Sequence, residues 1–398
     1  SRRGASSHQL NPFFSFASKN ANEEYGEVYG FNLVYSGNFT AGVEVDQIFK
    51  ARAYIGMNDY DFSWLLESGE SFQAPEAVMV YSSHGFGEMS RVYHRLYRKR
   101  LVRGKYRDAI RPILANNWEA TYFDFNEEKI LELAKTASEL GIELLVLDDG
   151  WFGKRNSDNC SLGDWYVNKE KLPDGIGGLA EKVKEYGILF GIWFEPEMVS
   201  PDSDLYKAHP DWCIHIPGRE RTECRNQLTL DLSREDVCEY IIKTVSQVLD
   251  EAAIGYVKWD MNRHMSELGS AGLPPKRQKE MPHRYMLGLY HVMEEIVSKH
   301  PDVLFESCSG GGGRFDPGML YYMPQTWTSD DTDAVERLYI QYGTSLVYPV
   351  SAMGCHVSAV PNHQAHRMTS LSMRGDVAMS GNFGYELDLA AFTEEEKD

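Results

Sequence analysis

The stretch Tyr256-Val257-Lys258-Trp259-Asp260-Met261-Asn262-Arg263 decides how this chain folds, because an apolar strand here ends in charge. Lys258 and Asp260 are two positions apart, so on an extended strand both side chains leave the same face. The approach, Ala253 to Val257, is short and apolar, and before it Arg234 to Glu251 has the spacing of an amphipathic helix. A helix followed by a strand that delivers charge at its C-terminal end is the rhythm of a βα unit. Parallel barrels keep their chemistry at those strand ends. An isolated Lys-x-Asp is more often a surface ion pair. What sets this one apart is that similar strand ends recur along the chain.

From Ile113 onward, short apolar runs alternate with helix-period segments, the pattern of a parallel sheet with crossover helices. Eight strands are expected: Ile113–Asn117, Leu144–Leu147, Leu189–Phe194, Leu228–Leu232, Tyr256–Trp259, Val303–Glu306, Gln325–Thr328 and Leu346–Ser351. The helices between them include Glu127–Leu140, Gly177–Tyr186, Arg234–Glu251, Arg284–Lys299 and Asp333–Tyr342. Eight such units close a (β/α)8 TIM barrel, an α/β fold, over residues 111–398. Residues 1–85 instead carry alternating segments such as Glu27–Tyr35 and Gly42–Asp46, separated by Gly, Asn and Ser turns, and read as antiparallel β. Residues 86–110 read as a helical connector with a solvated basic face.

The 398 residues are 42% hydrophobic and 12% aromatic, enough for one large core and a smaller piece. A formal charge of −19 argues against nucleic acid and against an anionic membrane, since phosphate binding needs a cationic excess. No apolar run approaches the roughly 20 residues of a membrane helix. A neutral small molecule or oligosaccharide fits the balance better. The six cysteines are scattered with no C-x-x-C pair, so neither a disulfide scaffold nor a zinc ribbon is signalled, and a cytoplasmic setting is the default expectation. His363 and His366 lack a partner set, so no metal and no cofactor are expected.

The residues that follow each run form a set: Trp118, then Asp148 and Asp149, then Trp193 with Glu195, then Asp231, then Lys258 with Asp260, then Ser307 and Cys308, then Asp330 and Asp331. Each has a plain structural reading, as a turn, a core filler or a flexible glycine loop. Together at barrel strand ends they suit a sugar, whose hydroxyls need carboxylate acceptors and whose C–H faces need flat aromatic rings.

The segments LLVLDDGWFGKR (144–155), GIWFEPEMVS (191–200), YVKWDMNRH (256–264), ESCSGGGGRFD (306–316) and WTSDDTDAVERL (327–338) resemble glycoside hydrolase family 36, the bacterial α-galactosidases. The opening RRGASSHQLNP (2–12) is similar to that family's N-terminal β domain. The resemblance implies that residues 1–85 are the C-terminal part of an antiparallel β-sandwich. It also implies a chain shortened at both ends, with homo-oligomers in the full-length form.

A retaining glycosidase uses two carboxyl groups about 5 to 5.5 Å apart, one attacking the anomeric carbon and one protonating the departing oxygen. The resemblance matches Asp260 to the family's nucleophile, and Lys258 nearby should favour its ionised form. It matches Asp330 to the acid/base; sequence physics alone does not choose between Asp330 and Asp331. It further implies that Asp148 and Asp149 accept the 4- and 6-hydroxyls of galactose and that Trp193 lies along the ring. Arg225 and Lys258 would serve the 3- and 4-hydroxyls, and the turn from Cys308 to Gly311 the 2-hydroxyl. The expected activity is exo-hydrolysis of terminal α-galactosides of the melibiose or raffinose type. Alternatives are a galactosyl transferase resembling raffinose synthase, another retaining α-glycosidase, and a non-catalytic sugar-binding barrel.

Overall fold

Leu144–Leu147 and Leu189–Phe194 are near-continuous apolar runs, which only a strand covered on both faces can bury, and parallel sheets flanked by helices provide that cover. In the computed structural model, which describes residues 1–397, both are neighbouring strands of a closed parallel barrel. Before the barrel, β1 (Phe13–Ala17), β2 (Val28–Val34) and β5 (Glu76–Ser82) form an antiparallel sheet in the order β1-β2-β5. Between them, β3 (Phe39–Val45) and β4 (Ala51–Met57) pair as a separate antiparallel ribbon. The helix Gly85–Leu96 lays Met89 and Tyr93 on this sheet, and its wider last turn runs on to Leu101. Phe315, Leu320, Val347 and Tyr348 from the barrel join the same apolar cluster, so the N-terminal sheet is seated on the barrel.

The barrel strands are β6 (Leu114–Asn116), β7 (Leu144–Leu147), β8 (Leu189–Phe194), β11 (Ile254–Trp259), β12 (Leu304–Ser307), β13 (Gln325–Trp327), β14 (Met353–Ser358) and β15 (Asn382–Glu386), in that order around the ring. Gly384 opposite Leu114 closes it. Local chemistry starts several of the intervening helices. The Asn126 side chain accepts the Lys129 N–H at 3.0 Å ahead of Glu127–Glu139, and Asp333 accepts the N–H groups of Val335 and Glu336, both at 3.1 Å, ahead of Ala334–Ser345. No helix among the described residues is long and apolar enough to cross a membrane.

Two of the eight expected strands are corrected. Leu228–Leu232 is not a barrel strand. Only β10 (Leu228–Thr229) forms there, pairing antiparallel with β9 (Met198–Val199) inside the excursion between β8 and β11. Its sequence, Leu-Thr-Leu-Asp-Leu, alternates apolar and polar, the signature of an antiparallel segment with one polar face, and β11 already occupies the edge of β8. Leu346–Ser351 starts at the C-cap of the helix Ala334–Ser345 and runs into a short helical turn, Val350–Ala352, and Pro349 could not donate to a central ladder. The last two barrel strands, β14 and β15, lie beyond it. Both place polar groups in the barrel interior, and Gly384 leaves space there for His356, since a Cβ would stand 2.6 Å from that ring.

Candidate active site

The C-terminal ends of the barrel strands surround a cavity of about 280 Å³. Trp118, Asp148, Asp149, Trp193, Arg225, Lys258, Asp260 and Asp330 all line it, so eight of the residues singled out in the sequence converge there, whereas Glu195, Asp231, Ser307 and Asp331 do not line it. Cys308 and Gly311 stand behind its wall. The Cys308 thiol is buried and pushed well above its usual range, by burial first and then by the charge of Asp260.

Asp260 leaves the end of β11 and accepts three hydrogen bonds: from its neighbour's Met261 N–H at 2.9 Å, from the Asn262 amide at 2.7 Å and from the Trp193 indole at 3.1 Å. The ladder sets Lys258 opposite Trp193, which brings the indole beside this strand end. Lys258 does not pair with Asp260. Its ammonium reaches across the barrel to Asp148 at 2.9 Å. Burial alone would lower the Lys258 pKa, but the facing carboxylates, Asp148 foremost, hold it well above its ordinary value. Asn116 adds a donor to Asp148 at 2.7 Å. Asp149 is clamped by the Arg155 guanidinium at 2.8 Å, a buried two-point ion pair that turns its carboxylate at the cavity wall.

Asp330 follows β13, two strands further around the ring, and no side chain among the described residues hydrogen-bonds its carboxyl. It remains open to solvent at the mouth. Its pKa is raised, by loss of solvation among the surrounding walls and then by the like charge of Asp260. Arg225 is exposed at the rim, on a backbone where it and Asn226 both take left-handed angles (φ 53° and 61°).

The cavity also includes Asn262, Trp327, Glu119, Thr332, Gln364 and Glu386, which sequence reasoning missed. Asn262 had a signal, its place in the strand-end segment that supplies Asp260. Glu386 had none, since no apolar run precedes it. Glu386 lies 2.8 Å from His356 Nδ1, and burial raises the acid and lowers the imidazole. His363 meets Tyr122 at 2.6 Å and lies 3.6 Å from Glu119.

This geometry can hold a small polyhydroxylated molecule between indoles and carboxylates, with two aspartates facing it from different strand ends. Residues 71–398 match the Melibiase family model, and residues 1–67 match the glycosyl hydrolase family 36 N-terminal domain. The chain belongs to the melibiase family, glycoside hydrolase family 36. Within it, this chain is 70% identical over its whole length to alpha-galactosidase AgaA of Geobacillus stearothermophilus and covers 54% of that protein. It is 53% identical to alpha-galactosidase Mel36A of Lactobacillus acidophilus, again over all of this chain and 54% of the relative. The chain thus spans about half the length of the curated relatives it matches. The crystal structure of AgaA superposes with a TM-score of 0.99, covering 100% of this chain and 55% of that one. Variants of AgaA have been crystallised with raffinose and with stachyose.

Proposed function

We propose that this chain carries the active site of a retaining exo-acting α-galactosidase that hydrolyses terminal α-galactosides of the raffinose type. The observation that carries the reading is one cavity in which Asp260 and Asp330, from strands two apart in the ring, face a sugar-sized space walled by Trp118, Trp193 and Trp327. The relatives support it. The AgaA variants holding raffinose and stachyose each lack an aspartate, and those two aspartates lie seventy residues apart, the interval between Asp260 and Asp330.

In the proposed reaction Asp260 attacks the anomeric carbon while the protonated Asp330 gives its proton to the departing glycosidic oxygen, leaving a β-galactosyl ester on Asp260. Asp330, now ionised, removes a proton from water, which cleaves the ester and releases galactose with its α configuration retained. The hydrogen bonds from Trp193, Asn262 and Met261 aim the Asp260 carboxylate. The raised pKa of Asp330 suits a group that must keep its proton until bond cleavage, and a sugar that displaces water from the mouth raises it further.

Asp148, held by Lys258, and Asp149, held by Arg155, present fixed acceptors to the 4- and 6-hydroxyls, with Lys258 and Arg225 serving the 3- and 4-hydroxyls. Trp193 lies along the ring, and the Cys308–Gly311 turn approaches the 2-hydroxyl through its backbone. A site built for the axial 4-hydroxyl leaves buried groups unpaired when the epimer enters, which disfavours glucosides. The test is turnover of raffinose and of nitrophenyl α-galactoside and α-glucoside by the purified chain. Galactose release with little glucoside cleavage is expected; preference for the glucoside, or no turnover of any, overturns the reading.

A further inference from the structure

The segment before β1 reaches the glycine loop behind the cavity. Ser7 and Leu10 exchange backbone hydrogen bonds of 3.1 and 3.2 Å, a tight turn with His8 at its tip. The turn is fastened on both sides, by the Ser6 hydroxyl on the buried Asp316 at 2.9 Å and by the Asn11 amide on the Phe315 carbonyl at 2.7 Å. His8 is thereby placed over the loop, with Nε2 2.5 Å from the Gly310 carbonyl. A carbonyl only accepts, so Nε2 carries the proton. Gly313 makes room for the imidazole, because a Cβ there would stand 2.8 Å from His8 Cε1.

The peptide that His8 holds joins Gly310 to Gly311, whose carbonyl accepts from the Ser309 N–H at 2.6 Å and whose backbone bridges to Ser329. Gly310 and Gly311 take consecutive left-handed angles (φ 51° and 79°), where glycines offer almost no steric resistance to reorientation. Both cavity aspartates are set against the two residues this peptide joins, Asp260 through the N–H that precedes it and Asp330 through Gly311. The Gly310 N–H donates to Asn262 Oδ1 at 2.8 Å, which obliges the other end of that amide to face Asp260, at 2.7 Å. Gly311 lies directly on the backbone leading to the second aspartate: a Cβ there would stand 2.5 Å from Ser329 Cα and 2.6 Å from Asp330 N. His8 itself does not line the cavity.

We infer that His8 is a positioning residue: by holding the Gly310 carbonyl it fixes the Gly310–Gly311 peptide and, through it, the relative placement of Asp260 and Asp330. The inference rests on the roles proposed above for those aspartates. It assigns a part in catalysis to the region ahead of the barrel, whose nearest imidazole touches the loop and not the sugar.

The experiment compares His8→Ala and His8→Gln with the unaltered chain, reading kcat and KM on nitrophenyl α-galactoside, the thermal midpoint, and amide hydrogen exchange of the 308–313 loop. His8→Ala is expected to lower kcat about ten- to hundredfold with KM little changed, the cost of misplaced reacting groups. Exchange at Gly310–Gly311 should quicken at an unchanged thermal midpoint. Glutamine, whose side-chain amide can donate to the same carbonyl, should restore most of both. Unchanged kcat in His8→Ala overturns the inference, as does a loss that tracks a lowered midpoint and is not recovered by glutamine. If the unaltered chain turns over no α-galactoside, the functional reading fails and the exchange data decide the latch: faster exchange in His8→Ala, reversed in His8→Gln, upholds it, and unchanged exchange refutes it.

Discussion

At the scale of single residues, the site works by giving chemically similar carboxylates different surroundings. Asp260 is ringed by donors, Asp148 and Asp149 are each tied to a cation, and the Asp330 carboxyl has no hydrogen-bonding side chain among the described residues. The free one is the group that must exchange a proton. Asp330→Ala should therefore slow raffinose cleavage by about 10² to 10⁴, while an activated nitrophenyl galactoside, whose leaving group departs unprotonated, loses far less in its first step. Comparable losses on both substrates would assign Asp330 a structural part. The pH dependence follows in sign. A raised pKa keeps the acid protonated to higher pH, so kcat/KM holds above the usual aspartate range and falls as pH rises through the Asp330 pKa. Asp148→Asn removes a charged acceptor and strands Lys258, and should cost about 1.5 to 3 kcal/mol in kcat/KM. Unchanged kinetics would remove Asp148 from the sugar contacts.

At the scale of elements, the strands that carry charge at the end of an apolar run were legible in sequence, and those whose interior is polar were not. Leu144–Leu147 before Asp148 and Leu189–Phe194 before Glu195 have the bounds expected of them. β14 and β15 escaped because Gly354, His356, Gly384 and Glu386 interrupt any apolar pattern, though they fill the barrel with a hydrogen-bonded pair. Thr332 and Gln364 reach the cavity on loops whose paths follow from tertiary contacts, and periodicity does not report those. Gly384→Ala tests the packing directly. Its Cβ would meet the His356 ring at 2.6 Å and the Leu114 carbonyl at 2.9 Å, so a loss of about 1 to 3 kcal/mol is expected in denaturant unfolding. A neutral substitution would mean that the ring can move aside. The loops after β8 and β12 are joined by Arg314, fully buried and bonded twice to Glu197 at 2.8 and 2.6 Å. Arg314→Ala leaves that carboxylate without its cation and should destabilise by about 3 to 5 kcal/mol, read as a fall in the unfolding midpoint.

At the scale of the whole molecule, the barrel holds an unusual load of buried acid. Burial raises Glu195 and Glu386 to about 8 and Glu119 to about 7, and lowers His356 to about 3. A raised acid binds more protons folded than unfolded, so its contribution to stability is lost as pH climbs from its unfolded value toward the folded one. His356 acts oppositely, its stabilisation growing as pH rises from about 3 to its unfolded value of 6.5. Below 6.5 the one histidine offsets only part of the effect of the three acids. Between pH 6.5 and 8 only the acids remain, so the thermal midpoint should fall across that interval, and fall less steeply in Glu386→Gln. A midpoint that rises over the same interval would contradict the assignment of protons inside the barrel.

All of this converges on Asp260 as the atom donor to a covalent sugar ester. Asp260→Gly, assayed with an activated aryl α-galactoside, should lose hydrolysis almost completely, and added azide should enter the vacated space, restore turnover and yield β-galactosyl azide. Recovery of the α-azide, or persistence of ordinary hydrolysis without azide, would contradict the account.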